Sequence, residues 1–188
     1  MQRIKTISTY MCTFLTVLLI VYPVLMILQW LLIDWTPFKK LVIEGVFFTP
    51  IETPEGIVNI GNIALSSLAK CIGILTSLIC YMPIGLGLFL LRKVFTNYQR
   101  GQIFVFDNAK VYQKMGWLFF LNALVFKPLS GLGMIFAVTL SNPPGHRYIT
   151  LSFGTPNLES IFCGIILIII SWVMMEGHRL QSEQELTI

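Results

Sequence analysis

The sequence predicts an all-α membrane protein with four transmembrane helices and an ordered outer loop between helices 1 and 2 that has room for a short β-hairpin. Hydrophobic residues make up 55% of the 188 residues and charged residues only 12%, against roughly 25% charged residues in soluble domains. The apolar residues form four runs, each close to the roughly 20 residues that a helix needs to cross a bilayer. The Lys and Arg residues are concentrated on one side of the membrane that these runs define.

The first predicted span covers residues 11–33 and follows the positively charged Arg3 and Lys5. This start is similar to a secretory signal peptide. However, the apolar run is longer than the 7–15 residues of a signal-peptide core, and no small-residue cleavage site follows it. We therefore expect a retained transmembrane helix, with a bend at Pro23 because proline removes a backbone hydrogen bond.

Residues 34–62 form the predicted outer loop. Three prolines and two stretches rich in β-branched and aromatic residues flank turn-forming residues there, which is typical of a short hairpin. The second span is predicted at residues 71–91, with Lys70 at its outer edge and Arg92 and Lys93 at its inner edge.

The inner loop, residues 92–116, is the most informative polar stretch. Gly101 predicts the end of one helix, and Asp107 predicts the N-cap of the next. The remaining elements follow in order along a single four-helix domain, residues 1–188: a third span at 117–140, a second outer loop, a fourth span at 158–175 and a polar tail at 176–188.

The distribution of positive charge predicts the orientation. Eight cations lie on the side of the termini and three on the other, so the positive-inside rule places both termini in the cytoplasm. The eight are Arg3, Lys5, Arg92, Lys93, Arg100, Lys110, Lys114 and Arg179, and the three are Lys39, Lys40 and Arg147.

Four groups of residues in the C-terminal half form a recognisable pattern. They are Tyr98, Gly101, Ile103, Phe104, Asn108, Ala109 and Gly116; Asn142, Pro143, Pro144, Gly145 and Arg147; Ser152, Phe153 and Gly154; and Trp172, Val173, Met174, Glu176, Leu180 and Glu183. This set resembles an uncharacterised bacterial family of four-span inner-membrane proteins, often encoded beside a Cro-like helix-turn-helix regulator. The resemblance covers residues 90–188 and implies a membrane partner of a regulatory protein, with no established activity.

Lys127 is the first candidate functional residue, because an ionisable group within a span costs about 2.5–3.5 kcal/mol on insertion scales. Asn122 is its polar neighbour in the third span. In one interpretation Lys127 faces an internal polar cavity and binds an anion or relays a proton, as in a small transporter or channel subunit. In the other, Pro128 kinks the helix and the lysine extends to the outer interface along its aliphatic stem.

Two polar surfaces supply the other candidates. Arg147 either binds an anion or lipid headgroup outside, or pairs with an acid such as Glu159 while the neighbouring prolines fix a turn. Arg100, Lys110 and Glu176 belong to a basic and aromatic inner surface. That surface either lies among anionic headgroups or docks a cytoplasmic protein, and the two roles are compatible.

The sequence contains no motif for a catalytic, cofactor-binding or metal site. The four cysteines lie in apolar runs at spacings unsuited to a metal knuckle. Direct nucleic-acid binding is not expected, because the basic residues do not form one clustered face. We therefore expect a non-enzymatic protein without cofactor or metal, whose partners are the lipid bilayer and a cytoplasmic regulatory protein. A small transporter or channel subunit that uses Lys127 and Asn122 is the alternative.

Overall fold

The computed structural model describes residues 2–44, 51–53, 56–141 and 158–186. The helices within these ranges are α1 (Gln2–Leu31), α2 (Thr36–Ile43), α3 (Ser67–Gln99), α4 (Phe106–Leu121), α5 (Lys127–Ser141) and α6 (Leu158–Leu186). A π-helical turn, Asn122–Phe126, joins α4 to α5. In the loop between α1 and α3, β1 (Ile51–Thr53) and β2 (Gly56–Val58) pair antiparallel, and a 3-10 turn, Ile60–Asn62, follows them.

Four helical segments of the described chain are long and apolar enough to cross a membrane. They are Gln2–Leu31, Ser67–Gln99, Phe106–Ser141 and Leu158–Glu183. This finding confirms the predicted all-α membrane class. A helix of 30 residues such as Gln2–Leu31 is about 45 Å long, whereas the hydrocarbon core is about 30 Å thick. The helices therefore extend beyond the apolar runs that predicted them.

The chain divides into two compact units. The first unit comprises Met1–Val21, Met82–Val125 and Thr155–Ile188, and the second comprises Tyr22–Tyr81 and Phe126–Gly154. Within the described ranges the chain passes from one unit to the other at three places: beside Pro23 in α1, beside Pro83 in α3 and at the end of the π-helical turn. Regular helical hydrogen bonding is interrupted at all three places, since proline lacks an N–H and a π turn shifts the bonding register.

Trp30 is the centre of the second unit. Its side chain is fully buried, and its indole N–H donates a hydrogen bond to Ser77 Oγ at 2.8 Å. Gly73 lies against the indole ring, because a Cβ at this position would come within 2.4 Å of ring atoms. Only glycine therefore fits there, and Gly73 and Ser77 together seat Trp30 on α3.

The loop between α1 and α3 contains a helix, α2, that the sequence did not predict. The β-rich stretch beginning at Leu41 favoured a strand, but residues 41–43 end α2. Pro37 in the first turn sets a helical φ angle. Phe38 and Val42, one turn apart, face the core cluster around Trp30. Packing of this helical face overrides the local preference for a strand.

Candidate functional site

The loop between α3 and α4 starts with a tight turn at Gly101. Gly101 has a φ of +81°. Its N–H donates to the Tyr98 carbonyl at 3.0 Å, and the N–H of Gln102 donates to the Asn97 carbonyl at 3.0 Å. These bonds form a Schellman motif, in which a left-handed residue satisfies the last carbonyls of a helix. The predicted helix end at Gly101 is confirmed.

Asn108 fixes the path of this loop. Its side chain is fully buried, and its Nδ2 donates to the carbonyls of Gln102 and Ile103, both at 2.9 Å. Its Oδ1 accepts a hydrogen bond from Asn97 Nδ2 at 2.7 Å. One side chain thus joins the end of α3, the loop and the first turn of α4. Because the Asn108 side chain is buried, each of these bonds is costly to lose.

The predicted N-cap at Asp107 is wrong. The N-cap of α4 is Val105, whose side chain makes no capping bond, and Asp107 lies in the first turn. The amide of Asn108 holds the loop, and α4 begins two residues before it, at Phe106. Asp107 remains favourable near this end because a carboxylate complements the positive end of the helix dipole.

Apolar and phenolic contacts pack α3 against α4. Val94, Val111 and Met115 form a buried cluster. The hydroxyl groups of Tyr98 and Tyr112 share a hydrogen bond of 3.0 Å beside it. The contact between α3 and α4 therefore has both an apolar core and a hydrogen-bonded pair of tyrosine hydroxyl groups.

The fourth membrane helix, α6, crosses α4 at two glycines. A Cβ at Gly116 would lie 2.9 Å from the Gly164 carbonyl oxygen, and a Cβ at Gly164 would lie 3.0 Å from the Gly116 carbonyl oxygen. The two backbones are therefore in direct contact, as in small-residue helix crossings within membranes. Neither Gly164 nor its pairing with Gly116 was predicted from the sequence.

The C-terminal part of α6 contacts the loop. Gly177 faces the Phe104 ring, since a Cβ at Gly177 would lie 3.0 Å from it. The Nδ1–H of His178 donates to the Phe104 carbonyl at 3.1 Å. The loop is thereby attached to a third helix.

A groove of about 340 Å³ lies between this loop and α6. We call it the loop–tail groove. It is lined by residues 101–105 of the loop and by His178, Gln181 and Ser182 of α6. Its walls combine apolar side chains with backbone, imidazole, amide and hydroxyl groups, so it suits a polar peptide segment better than a lipid chain.

Three of the predicted functional residues lie near this groove. Arg100 directly precedes its loop wall and is exposed. Lys110 is exposed, and its Nζ lies 4.4 Å from the centroid of the Phe106 ring, in a cation–π contact. Glu176 is exposed on α6, two residues before His178. Neither Arg100 nor Lys110 forms an ion pair with a residue that the structure describes.

The other predicted site residues lie elsewhere. Asn122 begins the π-helical turn and lines a cavity between α3 and α4. Lys127 begins α5, is exposed and does not line that cavity. Arg147 lies outside the described residues. Within the described ranges, no group of three or more His, Cys, Asp or Glu side chains is placed to hold a metal ion.

The spacing of apolar residues in α4 indicates that Asn108 is buried, although it was not among the predicted site residues. Asn108 lies three and seven residues before Val111 and Met115, and this spacing places it on the apolar stripe of α4. A buried amide on such a stripe needs hydrogen-bond partners. Its partners on α3 and in the loop depend on the turn at Gly101, so they could not be identified from spacing alone.

These features define a class of protein, a multi-pass helical membrane protein with a hydrogen-bonded loop between its second and third membrane helices. The chain belongs to a family described as proteins of unknown function, DUF2975, whose model matches residues 2–188. The match confirms the family resemblance of the C-terminal half and extends it to the first half. No curated protein and no solved structure matches the chain.

Proposed function

We propose that this protein is a non-enzymatic component of the bacterial inner membrane that holds a cytoplasmic regulatory protein at the bilayer. Both termini lie in the cytoplasm, and the partner docks in the loop–tail groove. The observation that carries the proposal is the construction of this groove. Its loop wall is fixed by the Gly101 turn and by Asn108, and its α6 wall is tied to the loop through His178. A preformed surface of this kind loses little conformational freedom when a partner binds.

Charge supports both the orientation and the partner's chemistry. The eight cations on the side of the termini all belong to the first compact unit, and all of them are exposed. Positive charge of this kind favours the cytoplasmic side. Arg100 and Lys110 flank the groove without ion-pair partners in the described chain. An acidic segment of the partner is therefore the complementary ligand.

Affinity purification in mild detergent, with mass-spectrometric identification of retained proteins, tests the proposal. The double variant Arg100→Glu/Lys110→Glu should retain much less partner and remain inserted and monodisperse. The matched control is Lys39→Glu/Lys40→Glu, which reverses two exposed charges outside the first unit and should retain the partner as the wild type does.

A third variant distinguishes the groove from its charged surroundings. Ser182→Trp places a large side chain in the α6 wall and leaves the net charge unchanged, so it should also reduce retention. Equal retention by wild type, the charge-reversal variant and Ser182→Trp would contradict docking at this groove. A wild-type protein that retains nothing specific would contradict tethering altogether.

A small transporter or channel subunit is the second candidate. The π-helical turn that starts at Asn122 favours it, because such turns are frequent at functional sites. The cavity at Asn122 is otherwise lined by apolar side chains, which provide no polar path for an ion. Loss of solute flux in Lys127→Met, with insertion intact, would establish this alternative.

A further inference from the structure

A cavity of about 190 Å³ lies between α3 and α4 in the first unit. Ile84, Gly87 and Leu88 of α3 contribute to one wall, and Leu118 and Phe119 of α4 contribute to the other. Apolar cavities of roughly 150 Å³ in proteins stay free of water and take up molecules such as benzene. Both helices belong to segments long and apolar enough to cross a membrane, so lipid is the solvent from which this cavity fills.

Gly87 keeps the space open. A Cβ at this position would meet only Leu118 Cδ2, at the ordinary contact distance of 3.8 Å. The absence of a side chain at Gly87 is thus not required for close helix packing, in contrast to Gly116, where a Cβ would lie 2.7 Å from Ile168. Its effect is to leave volume in the cavity.

Asn122 is the one polar residue among those that line the cavity. Its carboxamide makes no hydrogen bond with any residue that the structure describes. Asn122 lies five residues inside the predicted third span, or about 7.5 Å along the helix. Water is scarce at that depth, and an amide without a partner there is unfavourable.

The lining also restricts the charge of a ligand. None of the described lining residues is ionisable. A charged headgroup in the cavity would lose its hydration without gaining a counter-charge, which is costly. A neutral ligand that offers one hydrogen-bonding group to Asn122 and an apolar body to both walls meets all of these conditions.

We propose that the cavity between α3 and α4 binds the polar end of a neutral lipid, an alkyl or isoprenoid alcohol or ketone, whose hydroxyl or carbonyl group is hydrogen-bonded to the Asn122 carboxamide. Asn122 is the specificity-determining residue, because its amide both donates and accepts. Gly87 is the residue that gives the lipid room. The inference is separate from the proposed docking at the loop–tail groove and does not depend on it.

Photolabelling of the full chain in bilayer nanodiscs tests this inference. The probe is a long-chain alcohol that carries a diazirine, and the control probe is the matching diazirine alkane without the hydroxyl group. We expect the alcohol to label peptides that contain residues 83–91 or 115–122, and unlabelled hexadecanol to compete. The alkane should label the same peptides several-fold less, since one neutral hydrogen bond contributes a factor of roughly 2–10.

Three variants assign the labelling to the cavity. Asn122→Leu should reduce alcohol labelling to the level of the alkane. Gly87→Leu should abolish labelling of these peptides by both probes. The matched control Gly131→Leu adds the same side chain at an exposed glycine of α5 with no atom within 4 Å of its Cβ position, and should leave labelling unchanged. If Gly87→Leu is not monodisperse, Gly87→Ala serves in its place and should reduce labelling partially.

Equal labelling of these peptides by alcohol and alkane in the wild type would overturn the role of Asn122 and with it the proposal. Wild-type labelling in a folded Gly87→Leu or Gly87→Ala variant would show that the probe lies on the outer surface of the helices, which would also overturn it.

Discussion

At the glycine crossing of α4 and α6, we expect replacement of glycine by alanine to destabilise the protein, which is the opposite of its usual effect within a helix. Replacing glycine by alanine within a helix ordinarily stabilises a protein by about 0.5–1 kcal/mol. At Gly116 the added Cβ would lie 2.7 Å from Ile168 Cγ1 and 2.9 Å from the Gly164 carbonyl oxygen. The Ile168 side chain can rotate away, but the carbonyl oxygen moves only if α6 moves.

The expected change in the free energy of unfolding is the difference between the clash of the new Cβ with α6 and the usual stabilisation of a helix by alanine. Overpacking that shifts a backbone costs about 1–3 kcal/mol, so Gly116→Ala should be less stable than the wild type by about 1–2 kcal/mol. Gly164→Ala should be milder, because its Cβ would lie 3.0 Å from the nearest oxygen and 3.2 Å from a Phe120 ring that can turn. Gly131→Ala and Gly87→Ala are the controls, and both should be at least as stable as the wild type.

Thermal unfolding in one detergent, followed by tryptophan fluorescence, measures these differences. A change of 1 kcal/mol corresponds to about 2–4 °C for a chain of this size, so Gly116→Ala should unfold about 2–8 °C below the wild type. The reasoning is refuted if Gly116→Ala unfolds at or above the wild-type temperature while Gly131→Ala shows its expected rise. That result would mean that the two helices do not touch through their backbones.

Three further predictions concern the loop, the third span and the orientation. Asn108→Leu should lower the free energy of unfolding by about 2–4 kcal/mol and Asn97→Leu by only about 1 kcal/mol, because Asn108 bonds three partners; equal shifts of the thermal unfolding temperature would refute its role as the residue that fixes the loop. Lys127→Met should insert normally and be as stable as the wild type or more so, because it removes an exposed charge from a segment long and apolar enough to cross a membrane; a loss of insertion, measured by membrane fractionation, contradicts this. Reporter fusions after Arg92 and at the C-terminus should give cytoplasmic signals and a fusion near Glu52 a periplasmic one, whereas an external C-terminus would contradict the orientation.

The membrane helices could be predicted from the sequence because hydropathy sums over about 20 residues, so single errors cancel. Their ends could not be placed in the same way. The second predicted span stopped at residue 91, but α3 continues to Gln99. Backbone hydrogen bonding continues into the polar region, and Val94 of this extension is fully buried against α4. The end of α3 is therefore set by the turn at Gly101 rather than by the boundary of the apolar run.

Local signals failed where a tertiary contact decided the outcome. Asp107 is a residue type preferred at N-caps, yet α4 begins before it, at Phe106, where the hydrogen bonds of Asn108 hold the preceding loop. The stretch at 41–43 has strand composition, yet Val42 packs on the core as part of α2. Lys127 and Asn122 were predicted as a pair from their shared span. Of these two residues only Asn122 lines the cavity. Whether a residue lines a cavity depends on the face of the helix on which it lies, and not only on its depth in the span.

The polar groups of the first unit occur in two contrasting states, and this contrast separates the two proposed sites. On the helix ends beside the α3–α4 loop they pair with one another, as Asn97 does with Asn108 and Tyr98 with Tyr112. A satisfied network fixes one shape, which suits a surface that a protein partner recognises. The carboxamide of Asn122 has no such partner among the described residues, and Asn122 lines an apolar cavity, which suits a small neutral ligand that supplies the missing bond. Since the groups that build the two sites share no hydrogen bond, variants in one should leave the other site's binding unchanged. Photolabelling of Arg100→Glu/Lys110→Glu at the wild-type level, together with normal partner retention by Asn122→Leu, would demonstrate this independence, whereas a joint loss would show that lipid binding and docking are coupled.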